Sequence, residues 1–267
     1  MLQGLRRLLE LVRRNVRNDH HHKRTRALAV VAKAPLTGSV KTRLSPYLSP
    51  ANAAALYECL LADIVAKLER YKESKFWLVF APGGEEYFSQ SFPSIRLLAQ
   101  RGRDLGERLH HVFVDLFRRG YSEVVVADSD SPTVPLSSVE QAFAQLSEGG
   151  CDLVLGPSDD GGYYLIGLKR PTQGIFHNIE WSSESVLDAT LERARELALR
   201  VALLSPAYDI DVEGDLRRLW NDFMTVRHLR ELAPRTYDYL RNFAENGSSP
   251  VLAFTSERKE TQNGRTR

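Results

Sequence analysis

Two aspartates, one residue apart, stand where a run of small apolar residues ends. The segment VVADSDSPTVP, residues 125–135, reads as a buried strand followed by Asp128, Asp130 and a Ser-Pro turn. Two like charges this close raise the free energy of ionising one another. A hard divalent cation, Mg²⁺ or Mn²⁺, commonly binds such paired carboxylates and would relieve the repulsion. The alternative is structural: Asp130 caps the turn and Asp128 faces solvent.

Basic residues surround a glycine just after the first predicted strand. The segment AKAPLTGSVKTRL carries Lys33, Lys41 and Arg43 around Gly38. Glycine lets backbone amides approach an anion, and cationic side chains neutralise its charge. The segment differs from a P-loop, in which lysine directly follows glycine, because two residues separate Gly38 from Lys41. It is therefore either a phosphate site of another kind or a solvated basic turn.

A second acidic loop lies in GPSDDGGYYLIGL, residues 156–168. Asp159 and Asp160 precede Gly161 and Gly162, and Tyr163 opens the next predicted strand. The two glycines permit close approach of a ligand, and a hairpin turn explains them equally well. The two acidic residues favour a functional role for this loop.

A third acidic group lies in AYDIDVEGDLRRL, residues 207–219. It contains Asp209, Asp211 and Asp215. Asp215 or Glu213 suits the N-terminus of the following helix, where negative charge is favourable. Asp211 is the residue that we expect to face the cation.

Strand and helix patterns alternate along the chain. Strands are predicted at residues 26–35, 75–82, 94–100, 123–128, 152–157, 162–168 and 200–205. Helices are predicted at residues 49–71, 104–121, 137–148 and 183–198, with a last helical region opening at 212–223. This order predicts an α/β fold with a mostly parallel central sheet and helices on both faces. Ligands of such sheets bind beyond the carboxyl ends of the strands, where the polar loops fall.

The ends of the chain differ in charge from its middle. Residues 1–26 carry a net charge of +6 and residues 251–267 a net charge of +2, whereas the rest carries −6. The basic character therefore belongs to the ends and argues against a nucleic-acid partner for the domain. We expect a basic amphipathic extension over residues 1–25, one domain over 26–246 and a disordered polar tail over 247–267.

The N-terminal extension has three interpretations. It packs on its own domain or stays loose, it rests on an anionic membrane through residues 1–18, or it is a transit peptide. The sequence has no run of 18 apolar residues that would predict a transmembrane helix. Cys59 and Cys151 lie in apolar contexts and are predicted to be buried thiols, which favours a reducing cytoplasmic location.

Six motifs in order resemble those of a known bacterial family. They are AKAPLTGSVKTRL, GRDLGERL, DSDSP, GPSDDGGYYLIGL, IEWSSESV and DIDVEGDL, spread over about residues 27–220. Together they resemble the GT-A-type transferases associated with radical-SAM and selenodomain proteins, some of which are known as arsenosugar-biosynthesis glycosyltransferases. Molybdenum-cofactor and phospholactate nucleotidyltransferases are more distant relatives of that family.

The resemblance implies a Rossmann-like GT-A fold, that of nucleotide-diphospho-sugar transferases, and a role for each motif. Those roles are as follows: Lys33, Gly38, Lys41 and Arg43 at the nucleotide phosphates, Asp104 and Arg108 at the nucleotide end, Asp130 and Asp211 on the divalent cation, and Gly161, Gly162, Tyr163 and Trp181 beside the acceptor. The family usually has Gly at the position of Asp128, so Asp128 adds a second cation ligand or touches a ribose hydroxyl. Ser183 stands where the family commonly has Thr.

Two reactions fit a cation and a basic loop at a pyrophosphate. In glycosyl transfer a nucleotide-diphospho-sugar donates its sugar to a small-molecule acceptor, with Asp159 or Asp160 as base and Lys41 neutralising the leaving group. In nucleotidyl transfer an acceptor phosphate attacks an NTP and pyrophosphate leaves. Glycosyl transfer is favoured by the Asp128–Asp130 pair and the tyrosine-bearing loop. A non-catalytic nucleotide-binding module is the third possibility.

Overall fold

The computed structural model describes residues 25–148 and 150–245, and the domain is an α/β structure within those ranges. Its strands are β1 (Arg26–Ala32), β2 (Lys75–Phe80), β3 (Arg96–Ala99), β4 (Glu123–Ala127), β5 (Leu153–Pro157), β6 (Tyr163–Leu168) and β7 (Val201–Leu203). Its helices are α1 (Pro50–Leu68), α2 (Glu85–Ser91), α3 (Leu105–Arg118), α4 (Leu136–Ser147), α5 (Val186–Glu196), α6 (Glu213–Thr225), α7 (Arg227–Leu232) and α8 (Pro234–Glu245). The predicted N-terminal extension, its membrane contact and the C-terminal tail lie outside the described residues.

The strands form one sheet in the order β3-β2-β1-β4-β6-β5-β7. β6 runs antiparallel to both β4 and β5, and the other neighbouring strands are parallel. The prediction of a mostly parallel sheet is therefore confirmed. The chain passes from β1 outward to β2 and β3 and then returns to place β4 on the other side of β1. Ligands of doubly wound sheets bind at such a reversal of strand order.

Helices cover both faces of the sheet because β1 and β4 are apolar on both. Leu28 and Val30 of β1 pack in a core with α1 and α4. Ala27 and Ala29 point to the opposite face and pack with α3 and α5. A third apolar cluster joins α1 to α6 and α8 around Trp220. No helix in the described ranges combines the length and apolar character needed to cross a membrane.

Local signals explain where several elements begin and end. Ser49 caps α1 by accepting a hydrogen bond from the N–H of Asn52 at 3.2 Å, as the serine start signal predicted. β1 ends at Ala32, three residues earlier than predicted. Cys151 is buried and Cys59 is half-buried, and neither forms a disulfide within the described ranges. The sequence did not predict α2, and it marked α7 and α8 only as part of a last helical region.

A buried carboxylate on α1 caps α8, which is the last helix of the described residues. The Asp63 side chain is fully buried and accepts hydrogen bonds from the N–H groups of Arg235 at 3.1 Å and Thr236 at 2.8 Å. The Thr236 hydroxyl donates to the same carboxylate at 2.8 Å. These amides belong to the first turn of α8, which has no intrahelical partners for them. Asp63 therefore fastens the C-terminal helices to α1.

We expect the Asp63→Ala variant to lower the free energy of unfolding by about 2–4 kcal/mol, because it leaves buried donors without partners. Urea unfolding at pH 7 measures this. Asp238→Ala removes an exposed carboxylate of the same helix, whose pair with Arg241 is also exposed, and should cost less than about 1 kcal/mol. Equal losses in the two variants would contradict the capping role of Asp63.

The structure also contains a buried lysine. Lys67 of α1 donates to the Pro132 carbonyl at 2.7 Å. Burial lowers the pKa of Lys67 to about 8, although the charges of Asp128 and Asp63 act in the opposite direction. Between that pKa and its ordinary value of 10.5 the unfolded chain holds a proton that the folded protein has released. The contribution of Lys67 to the free energy of unfolding therefore increases with pH across this window.

We expect the difference in stability between the wild type and Lys67→Met to depend on pH. Above pH 8, the free energy of unfolding of the wild type should increase relative to that of Lys67→Met by up to about 1.4 kcal/mol per pH unit. The reason is that methionine has no proton to exchange. Urea unfolding of both proteins at pH 7.5 and 9.5 measures the change. A difference that is the same at both pH values would show that Lys67 does not titrate in this window.

Candidate functional site

Strand-end loops that are distant in sequence meet over the carboxyl ends of β1 and β4. They enclose a cavity of about 640 Å³. Its wall includes the charged residues Lys33, Lys41, Arg43, Arg108, Asp128, Asp130 and Asp211. All seven were singled out from the sequence, and the structure brings them to one place. The cavity lies at the reversal of strand order, where a ligand is expected.

Lys41 is at the centre of this charge cluster. Its ammonium Nζ lies 2.7 Å from Oδ1 of Asp130 and 3.1 Å from Oδ1 of Asp211, and its side chain is only 4% exposed. Burial disfavours the ammonium, but the two carboxylates raise the pKa of Lys41 above its ordinary value. Lys41 therefore stays charged and joins the loop after β4 to the loop before α6.

Asp211 is held by several contacts. Arg43 donates from Nη1 to Oδ2 of Asp211 at 3.2 Å. Burial acts against ionisation, yet Lys41 and Arg43 hold the pKa of Asp211 below its usual range. The Asp215 carboxylate accepts hydrogen bonds from the N–H groups of Asp211 and Val212 at 3.0 and 2.8 Å, which fixes the turn into α6. The Asp211 carboxylate is thus ionised and preplaced.

Asp128 and Asp130 have different surroundings. The Ser131 hydroxyl donates to Oδ2 of Asp128 at 2.7 Å. Burial, with the charge of Asp130 as a further cause, raises the pKa of Asp128 well above its usual range. The repulsion expected between the two aspartates is therefore relieved in two ways. Lys41 pairs with Asp130, and a proton is favoured on Asp128.

The backbone that places Lys41 is unusual. Lys41 has left-handed dihedral angles, with φ 49° and ψ 36°. Such a conformation costs a lysine roughly 1–2 kcal/mol. Its neighbours Val40 and Leu44 are buried and hold it in place. Gly38, with φ 78°, sits at the exposed tip of the loop and does not line the cavity.

Asp104 and Arg108 of GRDLGERL, both predicted to lie at the nucleotide end, have different positions. One caps a helix and the other lines the cavity. Asp104 caps α3 by accepting from the N–H of Glu107 at 2.8 Å, and it does not line the cavity. Arg108 does line it and donates from Nε to the Gly102 carbonyl at 3.3 Å. No carboxylate of the described residues forms an ion pair with Arg108. Its guanidinium is thus available to an anionic ligand.

The predicted base residues do not line the cavity. Asp159 pairs with Arg218 at 2.6 Å, and Asp160 accepts from the N–H of Gly162 at 2.9 Å. Neither carboxylate lines the cavity, and neither does Gly161 or Gly162. A Cβ at Gly161, where φ is 86°, would lie 2.0 Å from the Glu184 carbonyl oxygen. The hairpin between β5 and β6, and its packing, therefore account for the glycine pair.

The other two acceptor residues differ in position. Tyr163 lines the cavity. Trp181 does not, and instead packs against α3, where a Cβ at Gly106 would lie 2.6 Å from the indole Nε1. The residue after it, Ser182, has a φ of 67° and does line the cavity. The motif IEWSSESV thus reaches the cavity through Ser182, a residue of the motif to which the sequence analysis had assigned no role.

Tyr57 of α1 is a second cavity residue that the sequence did not reveal. Its hydroxyl hydrogen-bonds to Ser129 Oγ at 2.9 Å and accepts from the N–H of Lys33 at 3.1 Å. The Lys41 ammonium lies 5.9 Å from the centre of its ring. Burial raises the pKa of Tyr57 to about 12, so the hydroxyl stays protonated. Tyr57 looks like an ordinary core residue of an amphipathic helix, so nothing in its sequence context distinguished it.

The donor set suits a cation that arrives with phosphate. Within residues 25–148 and 150–245, no three His, Cys, Asp or Glu side chains are grouped so that they could hold a metal ion alone. Asp130 and Asp211 supply two carboxylates that one ammonium already bridges. Mg²⁺ is typically held by one or two carboxylates together with substrate phosphates and water. The two aspartates therefore fit such an ion.

Comparisons with known proteins show which proteins this chain is similar to. A family model described as "Uncharacterized protein conserved in bacteria (DUF2064)" matches residues 64–183. The 2-phospho-L-lactate guanylyltransferase of Methanothermobacter thermautotrophicus is 25% identical over 181 residues, which are 66% of this chain and 76% of that protein. The distant similarity to phospholactate nucleotidyltransferases implied by the motifs is thereby confirmed.

A solved structure extends the similarity over nearly the whole domain. A protein of Desulfovibrio desulfuricans G20, provisionally described as a nucleotide-diphospho-sugar transferase, superposes with a TM-score of 0.76. Both relatives are named transferases, which confirms the enzyme class predicted from the sequence. The two chains are 31% identical, and the match covers 86% of this chain and 97% of the other. This chain therefore belongs to the same family as the Desulfovibrio protein and has the nucleotide-diphospho-sugar transferase fold.

Proposed function

We propose that this protein is a nucleotidyltransferase that moves a nucleoside monophosphate from an NTP to an acceptor phosphate and releases pyrophosphate. The observation that carries the proposal is the composition of the cavity wall. Four cationic side chains, those of Lys33, Lys41, Arg43 and Arg108, face the same space as the Asp130–Asp211 pair. Lys41 and Arg43 are paired with these two aspartates, so Lys33 and Arg108 leave the wall with an excess of positive charge, which suits a polyphosphate.

The cationic residues act on the phosphate chain. Lys33 follows β1 directly and Arg108 enters from α3, so positive charge reaches the cavity from two sides. Fixed cations neutralise the charge that builds up on the leaving pyrophosphate, and removing one such group typically slows catalysis by about 10²–10³-fold. Lys41 and Arg43 supply this charge next to the two aspartates.

Asp130 and Asp211 would hold a divalent cation, Mg²⁺ or Mn²⁺. Such an ion, when bound, polarises the phosphoryl oxygens and neutralises part of their charge. The two carboxylates come from loops that a hydrogen bond connects, from the N–H of Ile210 to the Asp130 carbonyl at 3.1 Å. This link fixes their separation, which a shared ion requires.

The position of Asp159 and Asp160 outside the cavity supports nucleotidyl rather than glycosyl transfer. An acceptor phosphate is already ionised at neutral pH and attacks without a protein base. Asp159 is paired with Arg218, and neither Asp159 nor Asp160 lines the cavity, so neither carboxylate is placed there as a base. The similarity to a guanylyltransferase supports the same reaction.

Glycosyl transfer, which the sequence favoured, is the second candidate. The observation that favours it is the 31% identity to a protein provisionally described as a nucleotide-diphospho-sugar transferase. In this reaction an acceptor hydroxyl attacks the sugar, and Asp159 would have to leave Arg218 to act as its base. Tyr163 and Ser182 in the cavity wall would then face the acceptor.

Thermal unfolding with each common NTP and with a set of nucleotide-diphospho-sugars, with and without Mn²⁺, identifies the donor. We expect the largest stabilisation from one NTP together with Mn²⁺, because a triphosphate brings more negative charge to the cationic wall than a diphosphate does. A ligand at a hundred times its Kd adds about 2.7 kcal/mol to the free energy of unfolding. Stabilisation by one nucleotide-diphospho-sugar, with little effect of NTPs, would establish glycosyl transfer instead.

Two isosteric variants separate the roles of the aspartates. Asp130→Asn should reduce kcat/KM by about 10²-fold or more, because it removes a charged cation ligand. Asp159→Asn should change kcat/KM less than about threefold, because nucleotidyl transfer needs no base at this position. Turnover is measured by release of pyrophosphate. An inactive Asp159→Asn protein with an unchanged melting temperature would favour glycosyl transfer.

A further inference from the structure

The Lys41 ammonium and a divalent cation require the same two carboxylates. Nζ lies within 3.1 Å of an Oδ1 atom of both Asp130 and Asp211, and it is almost completely shielded from solvent. A cation that bound both of these oxygens would lie within a few ångströms of the ammonium. At that distance two positive charges repel strongly in a partly buried site. The two occupants therefore exclude each other.

The charges of the cluster already balance. Asp130 and Asp211 carry two negative charges, and Lys41 and Arg43, which contact them directly, carry two positive charges. A free divalent ion would approach a neutral cluster and lose hydration without a compensating attraction. A nucleotide changes this balance, because its phosphates bring several negative charges into the same cavity.

The Lys41 side chain can move its ammonium from the two aspartates to the phosphates of a bound nucleotide. A lysine carries its charge on a flexible four-carbon stem. The loop before it is exposed from Leu36 to Ser39, whereas Val40 and Leu44 are buried and anchor its base. Lys41 itself lines the cavity, so its ammonium can reach a bound phosphate by rotation of the side chain. The left-handed backbone of Lys41 keeps the stem beside both the aspartates and the cavity.

We propose that Lys41 is an internal counter-ion that excludes free divalent cations from Asp130 and Asp211 and releases these carboxylates only when nucleotide phosphates attract its ammonium. Cation binding is thereby conditional on nucleotide binding. The inference rests on the proposed function for the identity of the cation ligands and for the nucleotide, but it holds for nucleotidyl and glycosyl transfer alike.

The test is a titration of the purified full-length protein with Mn²⁺ alone at pH 7.5, with free Mn²⁺ measured by its electron paramagnetic resonance signal. We expect Lys41→Met to bind Mn²⁺ at least about tenfold more tightly than the wild type, because a competing charge is gone. Adding a saturating NTP should tighten Mn²⁺ binding strongly in the wild type and much less in the variant. By linkage, Mn²⁺ should increase the NTP affinity of the wild type by the same factor.

Three further variants make the result specific. Lys33→Met removes a positive charge from the same cavity. Within the described part of the chain, Lys33 forms no ion pair with Asp130 or Asp211. Its loss should therefore change the Mn²⁺ affinity less than about threefold. Lys41→Met combined with Asp130→Asn should not show the tighter Mn²⁺ binding of Lys41→Met alone. That loss would locate the bound Mn²⁺ at Asp130. Lys41→Gln repeats the measurement in case the methionine perturbs folding, and melting temperatures are recorded for all proteins.

The outcomes are distinguishable. An Mn²⁺ affinity that is unchanged or weaker in both Lys41 variants, when the variants are folded and the wild type binds an NTP, overturns the role of Lys41 and leaves the proposed function standing. A wild type that binds none of the four common NTPs or the nucleotide-diphospho-sugars, with or without Mn²⁺, overturns the proposed function. Tighter Mn²⁺ binding in both Lys41 variants and not in Lys33→Met supports the inference.

Discussion

The ion pairs of Lys41 with Asp130 and Asp211 are the interaction on which the site depends. They connect the loop after β1, the loop after β4 and the loop before α6, which are distant in sequence. Without the ammonium, two carboxylates would face each other in a half-buried wall beside the Asp128 carboxyl. The left-handed backbone of Lys41, the Asp215 cap and the contacts of Tyr57 all serve to keep these groups in position.

The sheet could be predicted from the sequence because its signals are local. Apolar runs that end in polar loops marked each strand, and the alternation with amphipathic helices fixed the α/β class. Charged residues of the cavity wall, such as Lys41, Asp130 and Asp211, were also singled out, because they lie in loops that follow predicted strands, although each had a structural alternative. The carboxyl-end rule for parallel sheets then placed them together.

What could not be predicted depends on contacts between distant segments. Asp159 and Asp160 look equivalent to catalytic carboxylates in sequence, and only the position of Arg218 on α6 shows that one of them is engaged. Tyr57 lies outside the six motifs and looks like an ordinary helix core residue. Ser182 lies within IEWSSESV, next to Trp181, which packs on Gly106, but nothing in the motif gave Ser182 a role of its own. The bridging position of Lys41 also follows only from the folded loops.

The cap that Asp63 provides for α8 has a consequence for how the chain is made. Its partner Thr236 lies 173 residues later, and at a synthesis rate of about 5–20 residues per second it leaves the ribosome roughly 10–35 s after Asp63. Until then the buried carboxylate of α1 has no donors, and burying it unpaired is costly. The helix that carries Tyr57 to the cavity therefore completes its packing only when nearly the whole domain has been synthesised.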